Sequence, residues 1–456
     1  MPLFFLGLAS SLAFAPFYFV FILFFSLSFL LESLEFAKKP KEAFLNGWIF
    51  GLGYFLGGCY WFYSPLMVEP GKYAWLIPFA LTILPSYLGC YLGLTTLATW
   101  FCKEFVSNRF NLAVIFAAFW TIFEYARGIL LFEFPWNLIG YSLSFLPLLI
   151  QTVAIFGSYI FGFIVLILYT SLYILKDKEY RLYYPLYVFL LSSMVLYGFF
   201  RLRGKENIYS SYRVRLVQPN ISQREKIIND QPDEILDHMI RMSLEDTRGV
   251  DYIIWPETAL PEFIPHNEYS DIVQTIGKKL ENSKFLITGA IKIDRAKGRI
   301  YNSLFILSNT GVVDSYDKYH LAAFGEFVPF SRLLKFLNSL TGIENFSKSE
   351  IKNRILEVDN VFPKFAPNIC YESVFSDSVG KGAELIINIT NDAWLGNTSG
   401  PYQHLDALRF RALENNIPAL RVANSGISGV IDRFGRIVRK TKLNTREILD
   451  VQIPLY

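Results

Sequence analysis

Apolar residues form long blocks through the first 200 positions and short, spaced runs after them. Blocks near 3–15, 17–36, 45–66, 74–101, 110–128, 148–174 and 182–201 approach the ~20 apolar residues that a helix needs to cross a bilayer. The first is short and breaks at Phe14-Ala15-Pro16, so it reads as half of a hairpin. From Tyr212 the pattern changes. R-V-R-L-V-Q (213–218), Y-I-I-W (252–255), F-L-I-T-G (285–289), S-L-F-I-L (303–307) and E-L-I-I-N-I-T (384–390) have the length and β-branched content of strands. Helical spacing occupies 232–246, 268–282 and 404–415. The pattern predicts an α-helical transmembrane bundle over 1–204, with about seven spans, and an α/β extramembrane domain over 205–456.

Charge sharpens that division. Of 83 charged residues, 19 lie in the first 200 positions. Mean hydropathy is +0.31, high for a soluble chain. Basic residues collect at Lys38, Lys39 and Lys41, at Lys103 and Arg109, and at Lys176, Lys178 and Arg181. Positive loops stay in the cytoplasm, so these loops share that side and residues 205–456 fall on the other. The group Arg201, Arg203 and Lys205 runs counter to that count. No removed signal peptide is expected, because the N-terminus has no basic region followed by a small-residue cleavage site.

A net charge of +3 and the lack of a basic tract exclude nucleic acid as a partner. Four scattered His, without H-E-x-x-H or paired C-x-x-C, argue against a metal site. No cofactor is called for.

Three strand ends carry chemistry. Glu257 follows Y-I-I-W-P, Lys318 lies in Y-D-K-Y-H-L ahead of F-G-E-F-V-P, and Cys370 follows P-N-I. Ligands of α/β sheets gather at such ends. A thiol, a carboxylate and an ammonium suffice for acyl transfer through a thioester. Each has a plainer reading. Glu257 and Lys318 fit solvated loop charges, Glu326 fits a surface ion pair, and Cys370, the only cysteine after Cys102, fits buried filler. In the membrane half, Glu124 and Arg127 before F-E-F-P-W-N (132–137) fit either a functional pair or an interfacial anchor. The amphipathic, basic F-S-R-L-L-K-F-L-N-S-L (330–340) fits a lid, a lipid contact or an ordinary packed helix.

W-P-E-T, Y-D-K-Y-H-L-A-A-F-G-E-F-V-P and I-C-Y-E resemble the three signature segments of the nitrilase, or carbon–nitrogen hydrolase, superfamily. N-D-A-W-L-G-N-T-S-G-P-Y-Q-H (391–404), R-F-R-A-L-E-N-N-I-P-A-L-R-V-A-N-S-G-I-S (409–428), V-Q-P-N-I-S-Q (217–223), F-P-W-N and F-A-P-F (14–17) narrow the resemblance to its membrane branch, the apolipoprotein N-acyltransferases. The resemblance implies an αββα sandwich and a triad. Glu257 matches the general base, Lys318 the group that steadies thiolate and oxyanion, and Cys370 the nucleophile. Glu326 matches an acid that positions Lys318. Tyr371, Glu372 and Trp394 match residues that line or brace the substrate site. It further implies a bacterial inner-membrane enzyme with its catalytic domain on the periplasmic side. The implied donor is a phospholipid, usually phosphatidylethanolamine, and the implied acceptors are diacylglyceryl apolipoproteins. Three features depart from the family pattern. Ile227, where Trp is usual, follows Lys226, and A-A-F-G-E replaces V-P-F-G-E. The chain ends in a polar, strand-like tail where many members have an eighth span.

A membrane-tethered amidase, a non-enzymatic lipoprotein binder and a channel are the competing classes. The 391–404 segment weighs against the first, the intact Glu257, Lys318 and Cys370 against the second, and the scarcity of mid-span charge against the third.

Overall fold

The computed structural model describes residues 1–455 apart from 177–179, 205, 207, 229–231, 246–248, 261–263, 266–272, 274–275, 277, 279–284 and 330–344. The amphipathic segment 330–340 lies outside the described residues, as does most of the helix expected over 268–282. The chain divides into two compact units. One comprises residues 1–205 with 398–410, the other 206–397 with 411–456.

The first unit is helical. Its longer helices are Phe21–Phe36, Pro40–Gly58, Ile77–Cys102, Arg109–Ile129, Val153–Tyr169 and Tyr180–Leu202. Among the described residues three stretches, Pro70–Phe105, Arg109–Ile129 and Arg181–Leu202, are long and apolar enough to cross a membrane. Pro2–Ala13 and Val153–Tyr169 are shorter apolar helices. The block expected over 148–174 is not one continuous helix. Gly157 interrupts it with φ 72, a conformation open to glycine for want of a Cβ. The block expected over 45–66 leaves the α-helix after Gly58 and continues in 3-10 turns over Tyr60–Tyr63 and Pro65–Met67. Helices Pro40–Gly58 and Ile77–Cys102 meet through small residues, as lipid-embedded helices do. A Cβ on Gly51 would lie 2.7 Å from Gly89 Cα. Tyr180–Leu202 is apolar and outward-facing, with Leu182, Phe189 and Phe200 largely exposed, as a lipid-facing helix should be.

Glu124 and Arg127 are buried in this unit and act on backbone. Arg127 Nη1 donates to the carbonyls of Phe134 at 2.7 Å and Trp136 at 2.8 Å. Glu124 Oε1 accepts the Ile139 N–H at 3.0 Å. The pair therefore holds the F-E-F-P-W-N loop by satisfying its polar groups, which burial would otherwise leave unpaired. Trp136 Nε1 donates to Gln403 Oε1 at 2.8 Å. Asp406 accepts from Tyr18 Oη at 2.8 Å and from Ser144 Oγ at 2.5 Å. Residues 398–410 thus join this unit although they stand far along the sequence.

The second unit is a two-sheet sandwich. One sheet runs, in spatial order, Glu447–Val451, Val214–Gln218, Tyr252–Ile254, Phe285–Asp294, Arg299–Ser308 and Gly311–Asp317. The other runs Ile437–Lys440, Gly429–Ile431, Ala419–Ala423, Leu385–Thr390 and Phe365–Ile369. Side chains alternate across each strand. Leu216, Ile254, Ile287, Leu304 and Ile306 of the first sheet share one core with Ile369, Ile387, Ile389, Leu420 and Val422 of the second. Val217, Ile253, Leu286 and Phe305 point the other way and join Leu236, Met239 and Ile240 of helix Pro232–Leu244. At ~25 cal/mol per Å² of apolar surface buried, these faces supply most of the drive to close the sandwich. Val214–Gln218, Tyr252–Ile254 and Phe285–Asp294 run parallel, as do Phe365–Ile369, Leu385–Thr390 and Ala419–Ala423. Glu257 and Cys370 follow the carboxyl ends of Tyr252–Ile254 and Phe365–Ile369, and Lys318 follows Gly311–Asp317, which pairs antiparallel with Arg299–Ser308.

Candidate active site

The backbone turns sharply where the predicted residues stand. Asn220, Thr258 and Cys370 follow three parallel strands, and each takes a left-handed conformation, with φ 53, 46 and 51. Such a conformation costs a residue with a Cβ about 1–2 kcal/mol. At Cys370 the neighbours maintain it. Glu372 Oε2 accepts the Ile369 N–H at 2.8 Å, and Asn388 Nδ2 donates to the Cys370 carbonyl at 3.4 Å.

Glu257 and Lys318 are almost fully buried, at 6% and 1% exposure. Buried charges must be paired and hydrogen-bonded, and these are. Lys318 Nζ lies 2.8 Å from Glu326 Oε2 and 3.8 Å from Glu257 Oε1. Asn302 Nδ2 donates to Glu257 Oε1 and to Glu326 Oε1, both at 2.8 Å. The Asn391 N–H donates to Glu257 Oε2 at 2.9 Å, and the Ala322 N–H to Glu326 Oε2 at 2.7 Å. Two carboxylates thus flank one ammonium, with every carboxylate oxygen accepting a hydrogen bond. Burial works against the charge on Lys318, but Glu326, Glu257 and Cys370 outweigh it and hold the ammonium above the ordinary lysine range.

The charges of this cluster act on the Cys370 thiol. Burial pushes the Cys370 thiol up, and the Glu257 charge pushes the same way. Lys318 opposes both, the Asp392 charge raises the thiol further, and a hydrogen bond from the Thr390 side chain lowers it. A thiol that rests protonated beside a carboxylate base and a fixed cation can be deprotonated as it attacks.

Close approach is part of the design. A Cβ on Gly289 would stand 2.6 Å from Thr258 N and 2.7 Å from Glu257 Cα, so the middle of strand Phe285–Asp294 admits the Glu257 turn beside it only with glycine there.

Of the other residues expected at the site, Glu372 is buried. Its Oε1 accepts from Tyr316 Oη at 2.7 Å, the Tyr319 N–H at 2.8 Å and the His320 N–H at 3.1 Å. Burial raises its pKa. Tyr371 is 9% exposed and meets Phe375 edge-on at 5.3 Å. Trp394, 38% exposed, stands on the turn Asp392–Leu395, and no hydrogen bond joins it to Glu257, Lys318 or Cys370 among the described residues. Lys226 donates to the Thr258 carbonyl at 3.1 Å. Desolvation lowers its pKa to about 8, against the pull of the Glu257 charge. Sequence reasoning missed Asn302 and Asn391 as partners of Glu257. Asn302 had a signal, as an amide inside an otherwise apolar strand (Y-N-S-L-F-I-L).

The sandwich and this cluster define a carbon–nitrogen hydrolase domain, and a family model of that description, Carbon-nitrogen hydrolase, matches residues 213–456. A second, the apolipoprotein N-acyltransferase N-terminal domain, matches residues 6–170. An apolipoprotein N-acyltransferase of Rickettsia prowazekii is 35% identical over 98% of this chain and 90% of its own length. One of Allorhizobium ampelinum is 33% identical over 97% and 87%. Saccharomyces cerevisiae Nit3, a member of branch 10 of the nitrilase superfamily, is similar over 53% of this chain and 90% of its own, with 22% identity and a TM-score of 0.40. The chain belongs to the apolipoprotein N-acyltransferase family. It is a bacterial membrane enzyme of that family.

Proposed function

We propose that this enzyme moves an acyl chain from a membrane phospholipid to the α-amine of the diacylglyceryl-cysteine of an apolipoprotein, through a thioacyl intermediate on Cys370. This is the last step of bacterial lipoprotein maturation. The observation that carries the reading is the meeting of one thiol, one carboxylate and one fixed ammonium, with Glu257 and Lys318 both acting on Cys370.

In the first half-reaction Glu257 takes the thiol proton and the sulfur attacks the donor ester carbonyl. Lys318 steadies the oxyanion. The tetrahedral species collapses, the ester C–O bond breaks, and the lysophospholipid leaves as its alcohol with the proton from Glu257. In the second half-reaction the acceptor amine attacks the thioester and loses a proton to Glu257. The C–S bond breaks, Cys370 regains a proton, and an amide remains. Glu326 holds Lys318 in place throughout, and Tyr371, Glu372 and Trp394 line or brace the site.

Phosphatidylethanolamine, cleaved at its sn-1 ester, is the donor in this reading. The enzyme sits in the inner membrane, with residues 205–456 as its periplasmic catalytic domain and residues 1–204 as its membrane domain. The basic loops at Lys38–Lys41, Lys103–Arg109 and Lys176–Arg181 support that orientation.

Intact-mass analysis of the full chain with phosphatidylethanolamine vesicles tests the proposal, with Cys370→Ala alongside. A hydroxylamine-labile acyl adduct on the native chain alone, discharged by a diacylglyceryl peptide, is the expected result. Release of ammonia from small amides without an adduct would overturn it.

A further inference from the structure

One polar atom in the catalytic cluster lacks a partner among the described residues. Asn302 lies inside strand Arg299–Ser308 and is 4% exposed. Its backbone carbonyl accepts the Lys318 N–H at 2.9 Å, and its Nδ2 donates to both Glu257 and Glu326. Its Oδ1 is buried and accepts no hydrogen bond among the described residues. The amide cannot sit the other way round, because that would set an acceptor oxygen against two carboxylates. The two acids therefore fix Nδ2 toward themselves and leave Oδ1 bare. Buried acceptors are seldom left so, and one in a reaction centre points to a donor that arrives with a substrate.

The reaction narrows the choice of donor. Oδ1 and Nδ2 share one carbon, and Nδ2 lies 2.8 Å from Glu257 Oε1. Oδ1 is therefore within about 5 Å of that oxygen, and one atom between them reaches both at hydrogen-bond length. Such an atom needs two hydrogens. The donor ester has none at its reacting carbonyl. The thiol has one, which Glu257 takes, and the departing lysophospholipid alcohol has one, which Glu257 gave. A primary amine has two. Water has two as well, so the contact selects primary amines over substituted ones, not over water.

We propose that Asn302 Oδ1 receives the second hydrogen of the acceptor α-amine and makes the enzyme selective for a primary amine. The neutral amine gives one hydrogen to Glu257 as its nitrogen attacks the thioester carbon. The other hydrogen bonds to Asn302 Oδ1 and stays on the nitrogen. The C–N bond forms, the C–S bond breaks, and the proton on Glu257 passes to the Cys370 sulfur. The hydrogen held by Asn302 becomes the N–H of the product amide. A secondary amine has a single hydrogen, which Glu257 must take. It leaves Oδ1 unpaired and would give an amide without an N–H.

This inference rests on the proposed thioacyl intermediate on Cys370. Its test charges the full-length protein from phosphatidylethanolamine vesicles, then follows discharge of the acyl adduct to two diacylglyceryl peptides. One has a free α-amine and the other an N-methylated α-amine. Native protein should discharge to the primary amine about 10–100-fold faster. Asn302→Leu keeps the size, removes Oδ1 and should bring that ratio close to one. Asn302→Asp keeps an oxygen there and should retain the preference. Loss of the Nδ2 contacts alone would slow both acceptors alike and leave the ratio unchanged, because Glu257 serves both. A native ratio near one, which needs no variant to measure, would overturn the assignment. So would an unchanged ratio in Asn302→Leu. Loss of the adduct in both variants, with the native adduct present, would also overturn it, since Asn302 would then act before the amine enters. Absence of the adduct on native protein would overturn the thioacyl reading beneath it.

Discussion

Lys318 Nζ lies 2.8 Å from Glu326 Oε2, with both residues buried. The ammonium is therefore held in one place and stays charged, as an oxyanion partner must. Glu326→Gln keeps size and removes that charge. Loss of one electrostatic partner in such a site costs about 10²–10³-fold in kcat. Acyl transfer to a diacylglyceryl peptide should fall by that factor while the far-ultraviolet circular dichroism of the protein stays native.

The Glu257 charge pushes the Cys370 thiol up. Glu257→Gln removes it, so the thiol pKa should fall. Below the native midpoint, alkylation of Cys370 should speed up about tenfold if that midpoint drops by about one pH unit. Acyl transfer is lost for want of a base. Faster labelling with lost turnover separates the two roles of one residue. Slower labelling would contradict the charge argument.

Gly289→Ala places a methyl 2.6 Å from Thr258 N. The Glu257 turn must move, because backbone cannot swing aside as a side chain can. Overpacking of this kind costs about 1–3 kcal/mol. Chemical denaturation should show that loss, and kcat should fall with little change in the apparent affinity for vesicles.

Glu372 accepts the Ile369 N–H on one oxygen, and Tyr316, Tyr319 and His320 donate to the other. Glu372→Gln must turn an NH₂ group toward donors on one side. A buried unsatisfied pair costs about 1–3 kcal/mol, and the Ile369 N–H precedes the strained Cys370. Denaturant midpoint and alkylation rate should both change. A variant equal to native in both would show the network to be dispensable.

Arg127→Leu leaves Glu124 buried without its cation and frees the Phe134 and Trp136 carbonyls. Breaking one side of a buried pair costs about 3–5 kcal/mol. Thermal unfolding of the detergent-solubilised protein should begin at a clearly lower temperature.

Much of this protein is legible in its sequence, because its strongest signals are local. Long apolar blocks mark the helical unit, since a bilayer core accepts little else. Short β-branched runs mark the strands at 214–218, 252–254, 285–294, 299–308 and 385–390. Glu257, Lys318 and Cys370 are visible as polar residues at strand ends, and the signature segments around them are contiguous. Other features depend on residues far apart in the chain. Nothing near Asp406 announces Tyr18, 388 positions away. Nothing near Asn391 shows that its N–H meets Glu257, 134 positions away. The pairing of Arg421 with Asp392 depends on two parallel strands lying side by side in register. Residue types and local spacing were determined by the sequence alone. Which buried charge meets which partner was decided by sheet register and by the strained turns at the strand ends, where packing, and not local preference, sets the backbone.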